Sequence, residues 1–255
     1  MSCLINFTPH LLLTKKSEGF RKIQKVRGKI QKAVEILKNG GIIIYPTDTC
    51  YGIGVDATNK EAIKKLISLK GRDFKKPISV IVKNFKMAQE IGEFNSQAEK
   101  IFKKNLPGPL TLIVKKKKNV YQLPNILTAN KSKIGIRMPN NKIALELVKK
   151  FNKPITTTSA NISNKPECYS KQEILKQFKK NIKNIDLILD TGKLPKTKPS
   201  TVIEIIGKKL KILRQGPIKI AFSFLGKKTQ KQIVFNDKFP MINNKNVKIK
   251  NQKSK

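Results

Sequence analysis

Acidic side chains and histidine are scarce in this chain, and cysteine is sparse. Sixteen Asp and Glu stand against 55 Lys and Arg, a formal charge of +39 over 255 residues. A surplus of that size attracts RNA, nucleotides and other polyanions through steering and counterion release. Lysine spread over exposed positions by a biased genome would give the same figure, so the charge alone points to no particular partner. The single histidine, His10, all but excludes a Ser-His or Cys-His pair and a His-ligated metal. The cysteines, Cys3, Cys50 and Cys168, are odd in number and form no Cys-x-x-Cys pair. They indicate neither a disulfide framework nor a zinc site, and point to a reducing cytoplasm. Long apolar runs are missing as well. Leu11-Leu12-Leu13 is too short for a membrane span, and the stretch before Lys15 lacks a basic leader and a small-residue cleavage site. No membrane association and no secretion signal are expected. What is present, 38% apolar residues over 255 positions, suffices for a sizeable globular core.

The apolar spacing of Ile23, Val26, Ile30, Val34 and Leu37 is helical and stops at Gly40-Gly41. Strands are read at Ile42–Ile44, Ile78–Val82, Leu110–Val114, Ile134–Met138, Ile155–Thr157, Leu187–Leu189, Thr201–Ile206 and Leu210–Leu213. Helices are read at Lys60–Leu69, Ser96–Phe102, Ile143–Lys150 and Ser170–Phe178. This alternation predicts an α/β fold, a sheet covered by helices. Residues 1–22 lack periodicity and are read as an N-terminal extension, with one globular domain over 23–226. Residues 227–255 carry nine Lys and one acid with few apolar side chains, and are expected to form a disordered basic tail able to contact RNA. Lys115–Lys118 is expected to be a solvated loop.

The densest local signal is Tyr45-Pro46-Thr47-Asp48-Thr49-Cys50-Tyr51-Gly52-Ile53-Gly54, a Pro, hydroxyl and Gly turn at the end of an apolar strand. A helix later delivers Lys70-Gly71-Arg72. Arg grips two phosphate oxygens at once and Lys acts as a point charge, and Gly71 lets the backbone leave the helix so that both cations can reach one ligand. Both are expected to be solvent-accessible in the empty site. Ser159-Ala160-Asn161 places small hydrogen-bonding groups at a strand end, either for a ligand or as a turn or helix cap. Arg137 lies in the apolar strand Ile134-Gly135-Ile136, where its charge must meet a ligand carboxylate or a structural acid. The scarcity of acids favours the ligand. Arg214, in Leu213-Arg214-Gln215-Gly216, taken by itself reads as a surface residue at a strand end.

Together with Pro107-Gly108-Pro109-Leu110-Thr111 and Ser200-Thr201-Val202, these motifs resemble the TsaC/YrdC-like family of threonylcarbamoyl-adenylate synthases over roughly residues 24–222. The resemblance implies a twisted mixed sheet flanked by helices, with a concave basic groove. It also implies joining of L-threonine, bicarbonate and ATP into threonylcarbamoyl-adenylate with release of pyrophosphate, the first step of a tRNA modification. By the same resemblance Lys70, Arg72, Ser159, Asn161 and Arg214 bind ATP, with Lys70 and Arg72 catalytic. Thr47, Arg137, Thr157 and Ser200 bind threonine. Mg2+ arrives on the ATP phosphates, and a tRNA threonylcarbamoyl-transferase complex takes the product. The chain departs from longer members in two ways. Ile78-Ser79-Val80-Ile81 stands where many carry a histidine, and only about thirty residues follow Phe224 in place of a second domain. A non-catalytic RNA-binding module, or a carbamoyl-transfer domain of the hydrogenase-maturation kind, is the alternative.

Overall fold

In the computed structural model, residues 23–220 other than 119 and 208 are described. The predicted extension 1–22 and the tail 227–255 lie outside them. Nine strands, β1 Ile43–Pro46, β2 Tyr51–Gly54, β3 Ser79–Ile81, β4 Leu110–Lys115, β5 Lys133–Arg137, β6 Ile155–Ser159, β7 Leu187–Ile188, β8 Thr201–Ile206 and β9 Lys209–Arg214, form one sheet. Its order is β7-β1-β2-β6-β3-β5-β4-β8-β9. The sheet is mixed: β1/β7, β3/β5 and β4/β8 run parallel and the remaining neighbours antiparallel. Ile and Val fill the buried positions of its central strands, as a surface covered by helices requires.

Helices at Ile30–Lys38, Lys60–Lys70, Phe85–Ile91, Ser96–Asn105 and Lys142–Phe151 bury an apolar stripe each, and a last one at Lys171–Gln177 buries Ile174. Four begin at an asparagine, Asn59, Asn84, Asn95 and Asn141, whose side-chain oxygen accepts a backbone N–H of the first turn. Ser170 and Glu173 form a capping box at the last. Burial of each large apolar side chain contributes about 1.5–3 kcal/mol, and Phe85, Phe94 and Phe102 add edge-to-face and tilted ring contacts beneath the helices.

Three differences from the sequence reading have physical causes. The first helix is interrupted by a turn at Gly28-Lys29, so that 23–27 and Ile30–Lys38 are separate. The helix Phe85–Ile91, capped by Asn84, is too short to show a helical period. Strand β2 reads as a turn because of its glycines, yet these are what the sheet requires: a Cβ on Gly54 would meet the Thr156 carbonyl oxygen at 2.2 Å. Within Lys115–Lys118, Lys115 ends β4 and pairs with Glu93, Lys116 bridges to Gly92, and Lys117 and Lys118 are exposed.

Candidate active site

The turn between β1 and β2 is built on hydroxyls. Thr47 Oγ1 donates to the Cys50 carbonyl at 2.6 Å and accepts from the backbone N–H groups of Thr49 and Cys50. That hydroxyl is engaged within the turn, and Thr49, not Thr47, is the threonine of this turn that lines the cleft. The turn aims Asp48 at β5. There Arg137 Nη2 donates to Asp48 Oδ1 at 2.8 Å, and Asp48 Oδ2 accepts from the Asn140 N–H at 3.1 Å. Both side chains are nearly buried, at 12% and 8% exposure. The acid that meets Arg137 is thus a structural one, the alternative that the scarcity of acids disfavoured. The guanidinium is nonetheless not exhausted, since its buried Nε has no partner among the described residues.

Arg137 opens onto a cleft of about 300 Å3 on one face of the sheet. Its floor is a run of small polar side chains on neighbouring strands: Thr157 of β6, Ser79 of β3 in register with it, and Thr111 of β4. Gly135 keeps the floor low, because a Cβ there would lie 2.4 Å from Ser79 Oγ. At the far side Thr111 Oγ1 and Ser200 Oγ are 3.0 Å apart, and Arg214 donates from Nε to the Ser200 carbonyl at 2.9 Å and from Nη2 to its hydroxyl at 3.1 Å. Burial, with the charge of Arg137 nearby, lowers the Arg214 pKa from its usual value.

The two cations of Lys70-Gly71-Arg72 part company. Gly71 takes a left-handed conformation at φ 55°, ending the helix as the sequence suggested. Arg72 then turns toward the cleft, its Nη2 donating to the Pro77 carbonyl at 2.8 Å. Lys70 instead is 1% exposed, which corrects the expectation of an accessible side chain. Its Nζ donates to the carbonyls of Ser159 and Asn161, each at 2.5 Å, and sits 3.4 Å from Asn161 Oδ1. Burial first, then the Arg72 charge, pulls its pKa down to about 7, while the three surrounding oxygens favour the charged form. Asn161 is also used locally, accepting from Ser159 Oγ and donating to the Lys165 carbonyl. Ser159 lines the cleft, whereas Asn161 and Lys70 stand behind it.

Of the nine residues the sequence singled out, Arg72, Arg137, Thr157, Ser159, Ser200 and Arg214 therefore meet at one cleft. Thr47, Lys70 and Asn161 hold its walls. Thr49, Thr111 and Glu167 line it without having been assigned a ligand role. Thr49 and Thr111 lay within motifs already noted. Glu167 carried no signal beyond the rarity of acids.

Residues 35–216 match the Sua5_yciO_yrdC family model, described as "Telomere recombination". The chain belongs to this family. Within it, a putative threonylcarbamoyl-AMP synthase of Methanocaldococcus jannaschii is 41% identical over 194 residues, covering 74% of this chain and 88% of that protein. Among solved structures, Pyrococcus abyssi Sua5 complexed with L-threonine superposes with a TM-score of 0.73 at 29% identity, over 82% of this chain. This chain spans 59% of the length of that one. Escherichia coli YciO superposes with a TM-score of 0.67 at 28% identity, over 77% of this chain and 92% of its own. The mixed sheet flanked by helices is thus the family's fold.

Proposed function

We propose that this protein joins L-threonine, bicarbonate and ATP into L-threonylcarbamoyl-adenylate and releases pyrophosphate, the first step of threonylcarbamoyladenosine formation on tRNA. One observation carries the reading: Arg137, Arg72 and Arg214 converge with the hydroxyls of Thr157, Ser159 and Ser200 on a single cleft, in a fold shared with a relative complexed with L-threonine. Three guanidiniums suit a ligand set with several anionic ends, a carboxylate and a triphosphate. The unpartnered Arg137 Nε supports a place for the amino acid carboxylate beside it. Arg72 and Arg214 flank the position for phosphates.

The chemistry asks for no protein nucleophile. The threonine amine attacks bicarbonate, water leaves, and an oxygen of the resulting carbamate displaces pyrophosphate from the α-phosphorus. What the residues supply is positioning, and fixed positive charge where negative charge grows on the leaving phosphates. Magnesium enters as part of the substrate, MgATP, held by phosphate oxygens and water. Among the described residues no group of three His, Cys, Asp or Glu could hold an ion, and the hydroxyl-rich wall is compatible with a hydrated one. The product then passes to a tRNA threonylcarbamoyl-transferase complex. No described helix is long and apolar enough to cross a membrane.

The deciding experiment is pyrophosphate release with each substrate omitted in turn. Release that requires both threonine and bicarbonate supports the synthase. ATP consumption with neither, or none with both, sinks it, and RNA binding without turnover would then favour the binding-module alternative.

A further inference from the structure

Acids are rare here, and most of the described ones are paired on the surface or behind a wall. Asp48 is spent on Arg137 and Asn140, whereas Glu61, Glu93, Glu99, Glu146 and Glu204 sit in ion pairs with lysines or arginines. Glu167 differs. It lines the cleft that also holds Arg72, Arg137 and Arg214, and it is the lone carboxylate among the lining residues. Yet it forms no hydrogen bond or ion pair among the described residues, although its charge is felt at Cys50 and at Arg214. This half-buried residue shares the cleft with three guanidiniums and pairs with none of them among the described residues, and its reach is set from its own backbone. That backbone is pinned on both sides: the Pro166 carbonyl accepts from Gln177 Nε2 at 2.7 Å, and the Cys168 carbonyl accepts from the Tyr51 N–H at 3.0 Å. Cys168 itself is fully buried.

An amino acid arrives as a zwitterion. Guanidiniums satisfy its carboxylate, but they repel its ammonium group, and hydroxyls alone compensate a desolvated ammonium poorly. We propose that Glu167 receives the α-ammonium group of the substrate and thereby selects amino acids over hydroxy acids of the same shape. The proposal rests on the threonine reading above and adds the residue that orients the amine. With the carboxylate held at Arg137 and the ammonium at Glu167 the substrate is oriented, and the nitrogen attacks bicarbonate as the free amine once its proton has passed to the Glu167 carboxylate or to water.

The test compares L-threonine with 2,3-dihydroxybutyrate, which replaces the amine by a hydroxyl, by calorimetric titration of the full chain and of Glu167→Gln. The substitution keeps the side-chain shape and removes the charge. Threonine affinity is expected to fall roughly tenfold or more, the scale of one charged hydrogen bond, while affinity for 2,3-dihydroxybutyrate stays the same or rises. In turnover the KM for threonine should rise and the KM for ATP hold, with Glu167→Asp intermediate. Equal weakening of both compounds, or no weakening of threonine, overturns the Glu167 assignment alone. Binding of neither compound by the unaltered protein overturns the threonine reading, and this assignment with it.

Discussion

At the residue scale, Lys70 and Arg72 show how two adjacent cations divide their work. An ammonium at 1% exposure with two backbone carbonyls at 2.5 Å is a strut, and removing it leaves those carbonyls buried without a donor. Lys70→Ala is therefore expected to cost about 1–3 kcal/mol and lower Tm by roughly 2–12 °C, as differential scanning calorimetry would show. Arg72→Ala should instead leave Tm nearly unchanged and slow pyrophosphate release about a hundredfold, because it removes charge facing the phosphates. Equal Tm losses in the two variants would refute this division. Cys50 offers a pH test. Burial pushes its thiol up to about 11, so at pH 8 the reactive thiolate is almost absent in the folded protein, whereas an unfolded cysteine near its ordinary value is substantially ionised. Alkylation by iodoacetamide at pH 8, followed on the Cys50 peptide by mass spectrometry, should be at least tenfold slower in the folded protein than in denaturant. Comparable rates would mean that Cys50 is open to solvent.

At the scale of elements, the cleft depends on how closely β3, β4 and β5 pack their small side chains. Gly135→Ala places a methyl 2.4 Å from Ser79 Oγ and 3.4 Å from Thr111 Cγ2, an overpacking expected to cost about 1–3 kcal/mol in denaturant unfolding. Adding Ser79→Ala removes the nearest atom and should recover part of that loss, whereas additive losses would show that the contact is unimportant. Arg137→Lys should raise the KM for threonine more than that for ATP, since it trades a planar fork for a point charge. Equal effects on both would move the amino acid elsewhere. Local patterns made much of this legible. Strand β8 was read with its observed limits, and the helices at Lys60, Ser96, Lys142 and Lys171 within one to three residues, because their apolar periods are strong and polar caps mark their starts. Six of the nine expected site residues line one cleft because their motifs bring them to the ends of strands or helices. The placement of the other three was less legible. Whether Thr47 turns its hydroxyl outward or to Cys50 is settled inside its own turn, and whether Lys70 faces solvent or Ser159 is decided only after the chain folds back on itself, 89 residues away.

At the scale of the molecule, a charge of +39 bears on encounter rather than on fold. The nine Lys and single Asp of residues 227–255 are expected to add sequence-independent affinity for tRNA while leaving synthesis alone. Truncation after Gly226 should reduce the slope of log affinity against log salt by about three to five units, if about five Lys reach phosphates. Threonine-dependent pyrophosphate release should meanwhile stay within about twofold. An unchanged slope would assign that charge to genomic drift. The Lys70 strut has a consequence of its own for protein engineering. It ties Lys70 to the main-chain carbonyls of Ser159 and Asn161, so a loop-swapping library should tolerate a replaced Ser159-Ala160-Asn161 segment that keeps its backbone path, whereas a replaced Lys70 breaks the joint.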